Sequence, residues 1–172
     1  MKKIARIRSG GQTGADRAGL DAARAAGIPI CGWCPKNGWA EDLHEPPGLL
    51  CKYPELTETD TSDVVQRTEL NVRDSHATLV IVTGPKDVSS GTAYTIENAK
   101  QYNRPYFIAE AGYTGVEEVT AWLATLGEEI TLNVAGPRES KAPGIYDKSY
   151  KLLEKLLLVL NKNISSLEKF IK

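Results

Sequence analysis

Ala5-Arg-Ile-Arg-Ser9-Gly-Gly-Gln-Thr-Gly14-Ala-Asp-Arg-Ala-Gly-Leu-Asp-Ala-Ala-Arg-Ala-Ala26-Gly27 passes from a short strand, through three glycines in five residues, into an alanine-rich stretch that a glycine ends. The spacing predicts a strand at residues 5–8 and a helix at 16–26 closed by Gly27. Glycines at such a junction let the backbone turn sharply and bring its N–H groups close to a ligand. The helix that follows directs its partly positive N-terminus at the same place. An oxyanion is what a turn made of Ser9, Gly10, Gly11, Gln12, Thr13 and Gly14 binds best.

The strand-to-helix alternation then repeats along the chain. Ile28-Pro-Ile-Cys31 reads as a second strand. Residues 34–60 hold four prolines and many polar residues, and read as a long irregular insertion, functional or disordered. A helix capped by Thr61 or Ser62 runs to Asp74, and residues 77–83 (Ala-Thr-Leu-Val-Ile-Val-Thr) suit a strand buried on both faces. A helix at 91–102, a strand at 105–109, a helix at 116–126 and a strand at 130–134 follow. A last helix spans about 145–168. The expected fold is α/β: one Rossmann-like domain over residues 1–172, with a parallel sheet of about five strands and helices on both faces. The last helix carries Lys151-Leu-Leu-Glu-Lys-Leu-Leu-Leu-Val-Leu160, apolar on more than one side, so a homo-oligomer interface is the expected cover for its outer side.

At 172 residues, 41% of them hydrophobic, the chain supports one domain with a sizeable core. A net charge of −1 gives no global attraction to nucleic acid. Residues 41–74 hold nine carboxylates against Lys52, Arg67 and Arg73, which argues against a polyanion-binding face there. No apolar run is long enough for a membrane span and the N-terminus lacks a signal-type apolar region, so a cytoplasmic protein is expected. Three cysteines fit a reducing compartment. Cys31-Gly-Trp-Cys34 lies at a strand end rather than at the start of a helix, so ordinary cysteines are expected ahead of a redox pair or a zinc site completed by Cys51 and His44.

In open parallel sheets ligands bind beyond the carboxyl ends of the strands. Three such ends carry glycine, hydroxyl or cationic residues: the first turn; Thr83-Gly84-Pro85 with Ser89-Ser90-Gly91-Thr92; and Gly136-Pro137-Arg138-Glu139-Ser140-Lys141. If the first strand neighbours the strand at 77–83, the three loops meet around one small anionic ligand. Asp16 and Arg17 lie in the first turn of the first helix, where Asp16 either caps the helix or serves the site. Arg67, Asn71 and Asp74 fall on one helical face, either solvated or turned toward the pocket. The turn matches neither G-x-G-x-x-G nor the P-loop pattern, which disfavours a standard dinucleotide fold or P-loop ATPase. No Ser-His-Asp or paired-carboxylate arrangement can be assigned.

Five stretches together closely resemble the family of putative molybdenum carrier proteins, near the lysine-decarboxylase-like, or lonely-guy, branch of Rossmann-like proteins. They are Ser9-Gly-Gly-Gln-Thr-Gly-Ala-Asp-Arg-Ala-Gly-Leu-Asp21, Gly32-Trp-Cys-Pro-Lys36, Ala40-Glu-Asp42, Gln66-Arg-Thr-Glu-Leu-Asn-Val-Arg-Asp74 and Asn133-Val-Ala-Gly-Pro-Arg-Glu-Ser-Lys141. The resemblance covers roughly residues 4–160. It implies self-association and a pocket for a phosphorylated small molecule, molybdenum cofactor or a nucleotide, held by a carrier or sensor. On this reading the ligand-binding residues are Ser9, Gly10, Gly11, Gln12, Thr13, Gly14, Asp16, Arg17, Lys36, Arg67, Asn71, Gly84, Ser90, Gly91, Thr92, Arg138, Ser140 and Lys141. The enzyme branch carries P-G-G-x-G-T-x-x-E. Here Gly91-Thr92 is kept, Pro-Gly-Gly is missing, and Glu97 comes two positions late. A binding protein is therefore expected ahead of the alternative, a nucleotide-directed hydrolase or transferase using Glu97 or Asp16.

Overall fold

The computed structural model of the chain describes residues 3–84 and 89–170, with side chains as far as Asn161. Among these residues six strands form one parallel sheet: β1 (Ile4–Arg8), β2 (Ile30–Cys34), β3 (Leu56–Glu58), β4 (Ala77–Val82), β5 (Tyr106–Glu110) and β6 (Ile130–Ala135). Their order across the sheet is β3-β2-β1-β6-β4-β5. The helices are α1 (Ala15–Ala25), α2 (Leu49–Lys52), α3 (Val64–Arg73), α4 (Ser90–Gln101), α5 (Val116–Ala124) and α6 (Ile145–Phe170). All six positions of β4 are buried, as its mostly apolar run demands.

The chain steps from β1 to β2 in one direction across the sheet and from β4 to β5 in the other. Right-handed crossovers then place α1 and α4 on opposite faces. The packing agrees: α6 lies against α1 and α5, whereas α3 lies against α4. Alternate residues of the central strands divide between the two faces. Leu79, Ile81, Leu132 and Val134 join Leu153, Leu156 and Leu157 of α6 in the main core. Asn133 and Ala135, one step out of register, face the other way.

Two expectations are corrected. The sheet has six strands rather than five, because the stretch at 34–60 contains α2 and the strand β3. Three residues between Pro54 and Asp60 are too few to show an alternation, so tertiary pairing with β2 makes the strand rather than its local pattern. The first strand and β4 are also not neighbours: β6 lies between them and pairs with both. The last strand of the chain thus occupies the middle of the sheet. In addition, β2 starts two residues later than expected, since Pro29 has no N–H for the ladder, and it runs on to Cys34 through its pairing with β3.

No helix among the described residues is long and apolar enough to cross a membrane. Cys31, Cys34 and Cys51 are free thiols. Burial, followed by the nearby Glu58 carboxylate, pushes the Cys34 thiol up to about 11. Pro85 lies outside the described residues.

Candidate functional site

Because β6 separates β1 from β4, its carboxyl end forms the floor of a cavity whose walls come from α3 and α4. The cavity holds about 270 Å³. Gly10 of the first turn and Asp16 of α1 line one side. Arg67 and Asn71 line a second, and Ser90 and Gly91, at the N-terminus of α4, a third. Arg138 and Lys141 come from the segment after β6. The three loops therefore converge, although by a different strand order from the one expected.

The centre of the arrangement is an ion pair. Arg67 Nη1 donates to Asp16 Oδ2 at 2.8 Å, and the two side chains are 14% and 4% exposed. The guanidinium lies directly on the first turn: a Cβ built on Gly10 would sit 2.0 Å from Arg67 Nη1. Glycine is required there for that approach. Burial raises the pKa of the Asp16 carboxyl, and the Arg67 charge and hydrogen bond, with backbone groups of Gln12 and Gly136, work against that rise. Arg67 Nε is buried and has no hydrogen-bond partner among the described residues.

Asn71 is committed elsewhere. Its Oδ1 accepts from Trp33 N at 2.8 Å and its Nδ2 donates to Trp33 O at 2.9 Å, which ties α3 to β2. Asp74, third on that helical face, accepts from the Trp33 indole and from Arg73 instead of reaching the cavity. The start of α4 is capped by Ser89, whose Oγ accepts from Thr92 N at 3.3 Å, and Thr92 is buried against it.

Other expected residues stand behind the lining. Ser9 is buried and donates to Val134 O at 2.8 Å. A Cβ built on Gly11 would lie 3.1 Å from Leu56 and 3.2 Å from Leu49. Gln12 Oε1 accepts from Thr13 N at 3.1 Å and Glu41 N at 2.9 Å. At Gly14, φ is +79° and a Cβ would lie 2.4 Å from Pro137 O, so this position too must be glycine. Arg17 turns away from the cavity: Nη1 and Nη2 pair with Asp42 at 3.0 and 2.9 Å, and Nε donates to Gly11 O at 2.9 Å. Lys36 is exposed in a short 3₁₀ turn and Gly84 lies at the end of β4; neither lines the cavity. Ser140 Oγ donates to Glu41 Oε2 at 2.5 Å.

Several lining residues escaped the sequence reading. Asn133 is the clearest, since a lone amide inside the apolar run of β6 marks a face that meets something polar. Thr95, Val64 and Thr68 complete the walls and carry no pattern of their own. Glu97, by contrast, is exposed and outside the cavity lining. Among the described residues no group of three or more His, Cys, Asp or Glu could hold a metal ion.

The profile of the circularly permutated YpsA SLOG family matches residues 7–157. A search of solved structures finds the crystal structure of "Putative molybdenum carrier protein" from Syntrophus aciditrophicus SB. It is 39% identical, covers 91% of this chain and 96% of that chain, and superposes with a TM-score of 0.79. No curated protein matches the chain.

Proposed function

The chain belongs to the circularly permutated YpsA SLOG family, and from that starting point we propose that it binds a phosphorylated or otherwise anionic small molecule as a carrier or sensor. The observation that carries this reading is the cavity itself. Among the described residues Arg67, Arg138 and Lys141 outnumber the Asp16 carboxylate there, and the N-terminus of α4 faces the same space. Charge and helix dipole both favour an oxyanion. Molybdenum cofactor, with its phosphate, and a nucleotide are the two ligand classes to test; the similar crystal structure bears the molybdenum-carrier name.

Isothermal titration with inorganic phosphate, nucleoside monophosphates, a molybdopterin-type ligand and molybdate tests the proposal. Saturable binding of at least one is expected, and no heat from any of them would overturn it. Gly91→Leu is the matched variant. Among the described residues a Cβ at Gly91 meets nothing within 4 Å, so the added side chain occupies open space at the cavity wall without a clash against them. The variant should fold and lose binding.

The three free cysteines suit a reducing compartment, and on that ground we assign the protein to the cytoplasm. Leu158 and Val159 of α6 are 53% and 38% exposed, which supports self-association through the outer side of that helix. Sedimentation velocity should show a species heavier than the 18.8 kDa chain.

A further inference from the structure

The segment at residues 39–42 contributes no residue to the cavity lining, yet it joins two of the loops that build the cavity. The Glu41 carboxylate accepts the Thr13 hydroxyl from the first turn and, from the segment after β6, the Ser140 hydroxyl at 2.5 Å and the Ser140 N–H at 3.3 Å. The Glu41 N–H donates to Gln12 Oε1, the acceptor that also takes Thr13 N–H. Thr13 Oγ1 in turn accepts the Glu139 N–H at 3.2 Å. One residue on, Asp42 takes the two-pronged Arg17 contact whose Nε holds Gly11 O. Two residues back, the Trp39 ring lies under the Arg138 guanidinium, with Cζ 5.7 Å from the ring centroid. His44 Nε2, 2.6 Å from Glu41 O, and the edge-on contact of its ring with Trp39 hold the segment's own shape.

We infer that residues 39–42 form a clasp that sets the ligand site from outside it. In this clasp Glu41 and Trp39 are positioning residues for Arg138 and the first turn. The inference rests on the reading of the cavity as an oxyanion site. A carboxylate suits the role because it is acceptor-only and can take three donors from two loops at once. Burial opposes ionisation of Glu41, but hydrogen bonds from Ser140 and Thr13 hold its carboxyl below the usual value, so the clasp is closed at neutral pH. Arginine stacked on an aromatic ring loses less freedom when it meets an oxyanion than a free side chain does.

The test uses Glu41→Gln, Arg138→Ala and the double variant of the full chain, with adenosine monophosphate and inorganic phosphate as probes. Glu41→Gln swaps one acceptor for a donor while keeping the shape. It should weaken phosphate binding about tenfold in the otherwise native chain and less than about twofold in the Arg138→Ala background. A general structural defect would weaken both backgrounds alike, and that result, or no loss at all, overturns the clasp. Amide hydrogen exchange is measured on the same proteins. Glu41→Gln should speed exchange at Glu139 and Ser140 about tenfold and leave β4 unchanged. If the native chain binds neither probe, the oxyanion reading is decided by the wider set of anions above, and the clasp stands or falls on exchange alone: unaltered rates at Glu139 and Ser140 overturn it.

Discussion

Replacing Arg67 by Met removes the partner of a carboxylate that is only 4% exposed. Methionine keeps most of the packing, so the loss is chiefly that of the 2.8 Å ion pair with Asp16. Leaving one member of a buried pair without its counter-charge costs about 3–5 kcal/mol. An unfolding entropy of about 2.1 cal/mol/K per residue gives about 0.36 kcal/mol/K for 172 residues, so the melting temperature should fall by about 8–14 °C near neutral pH. The loss should also depend on pH, with a sign fixed by the structure. Burial already raises the Asp16 pKa above 3.8, and the Arg67 charge and hydrogen bond are the strongest effects that oppose it. Without Arg67 the folded-state value rises further. A carboxyl whose folded pKa exceeds its unfolded one contributes stability that is complete below 3.8 and lost as pH rises through the folded value, at up to about 1.4 kcal/mol per pH unit. The variant should therefore lag the native protein more at pH 8 than at pH 5. Adding Asp16→Asn should flatten that difference. Differential scanning calorimetry at the two pH values measures both effects. Equal drops at pH 5 and pH 8, or a drop below about 2 °C, would show that Asp16 is solvated and that the pair does not hold the first turn.

Three further outcomes follow from the same contacts. Gly14→Ala must place a Cβ 2.4 Å from Pro137 O at a φ of +79°; denaturant unfolding should show a loss of about 2 kcal/mol or more, because the neighbour is backbone and cannot swing aside. Asp21 accepts from both Tyr53 at 2.7 Å and Tyr146 at 2.8 Å, so Tyr53→Phe should cost about 1 kcal/mol and the double Phe variant should differ from the sum of the singles, as read from a thermal double-mutant cycle. Thiol labelling at pH 8 should modify exposed Cys51 quickly and buried Cys34 only on unfolding, since burial holds that thiol at about 11.

The repeat of strand and helix was legible because each long element carries its own pattern. The mostly apolar run of β4, the glycine after α1 and the polar break before α3 place those elements within a residue or two. Strand order was not, because nothing local tells β6 that it will pair with both β1 and β4; that choice belongs to the packing of α1, α5 and α6 on one face and α3 and α4 on the other. β3 was hidden for a related reason, being three residues whose conformation comes from their neighbour. At the site, loop residues with unusual composition were readable: Gly10, Gly91, Arg138 and Lys141 line the cavity. Arg17 was not readable as a tie to Asp42, because an arginine beside a glycine turn looks the same whether it meets a ligand or a carboxylate 25 residues away. Glu41 was invisible in the same sense: its partners Thr13 and Ser140 are brought to it only by the folded insertion.

The central claim is that Arg67, Arg138, Lys141 and the start of α4 surround an oxyanion. Isothermal titration of the native chain and of Gly91→Leu with inorganic phosphate, a nucleoside monophosphate, a molybdopterin-type ligand and molybdate, with melting temperatures recorded beside it, tests that claim most directly. The native chain should bind at least one anion saturably, and a Gly91→Leu protein that melts within a few degrees of native should not. Equal affinity in the two proteins, or no binding of any anion by the native chain, would contradict it.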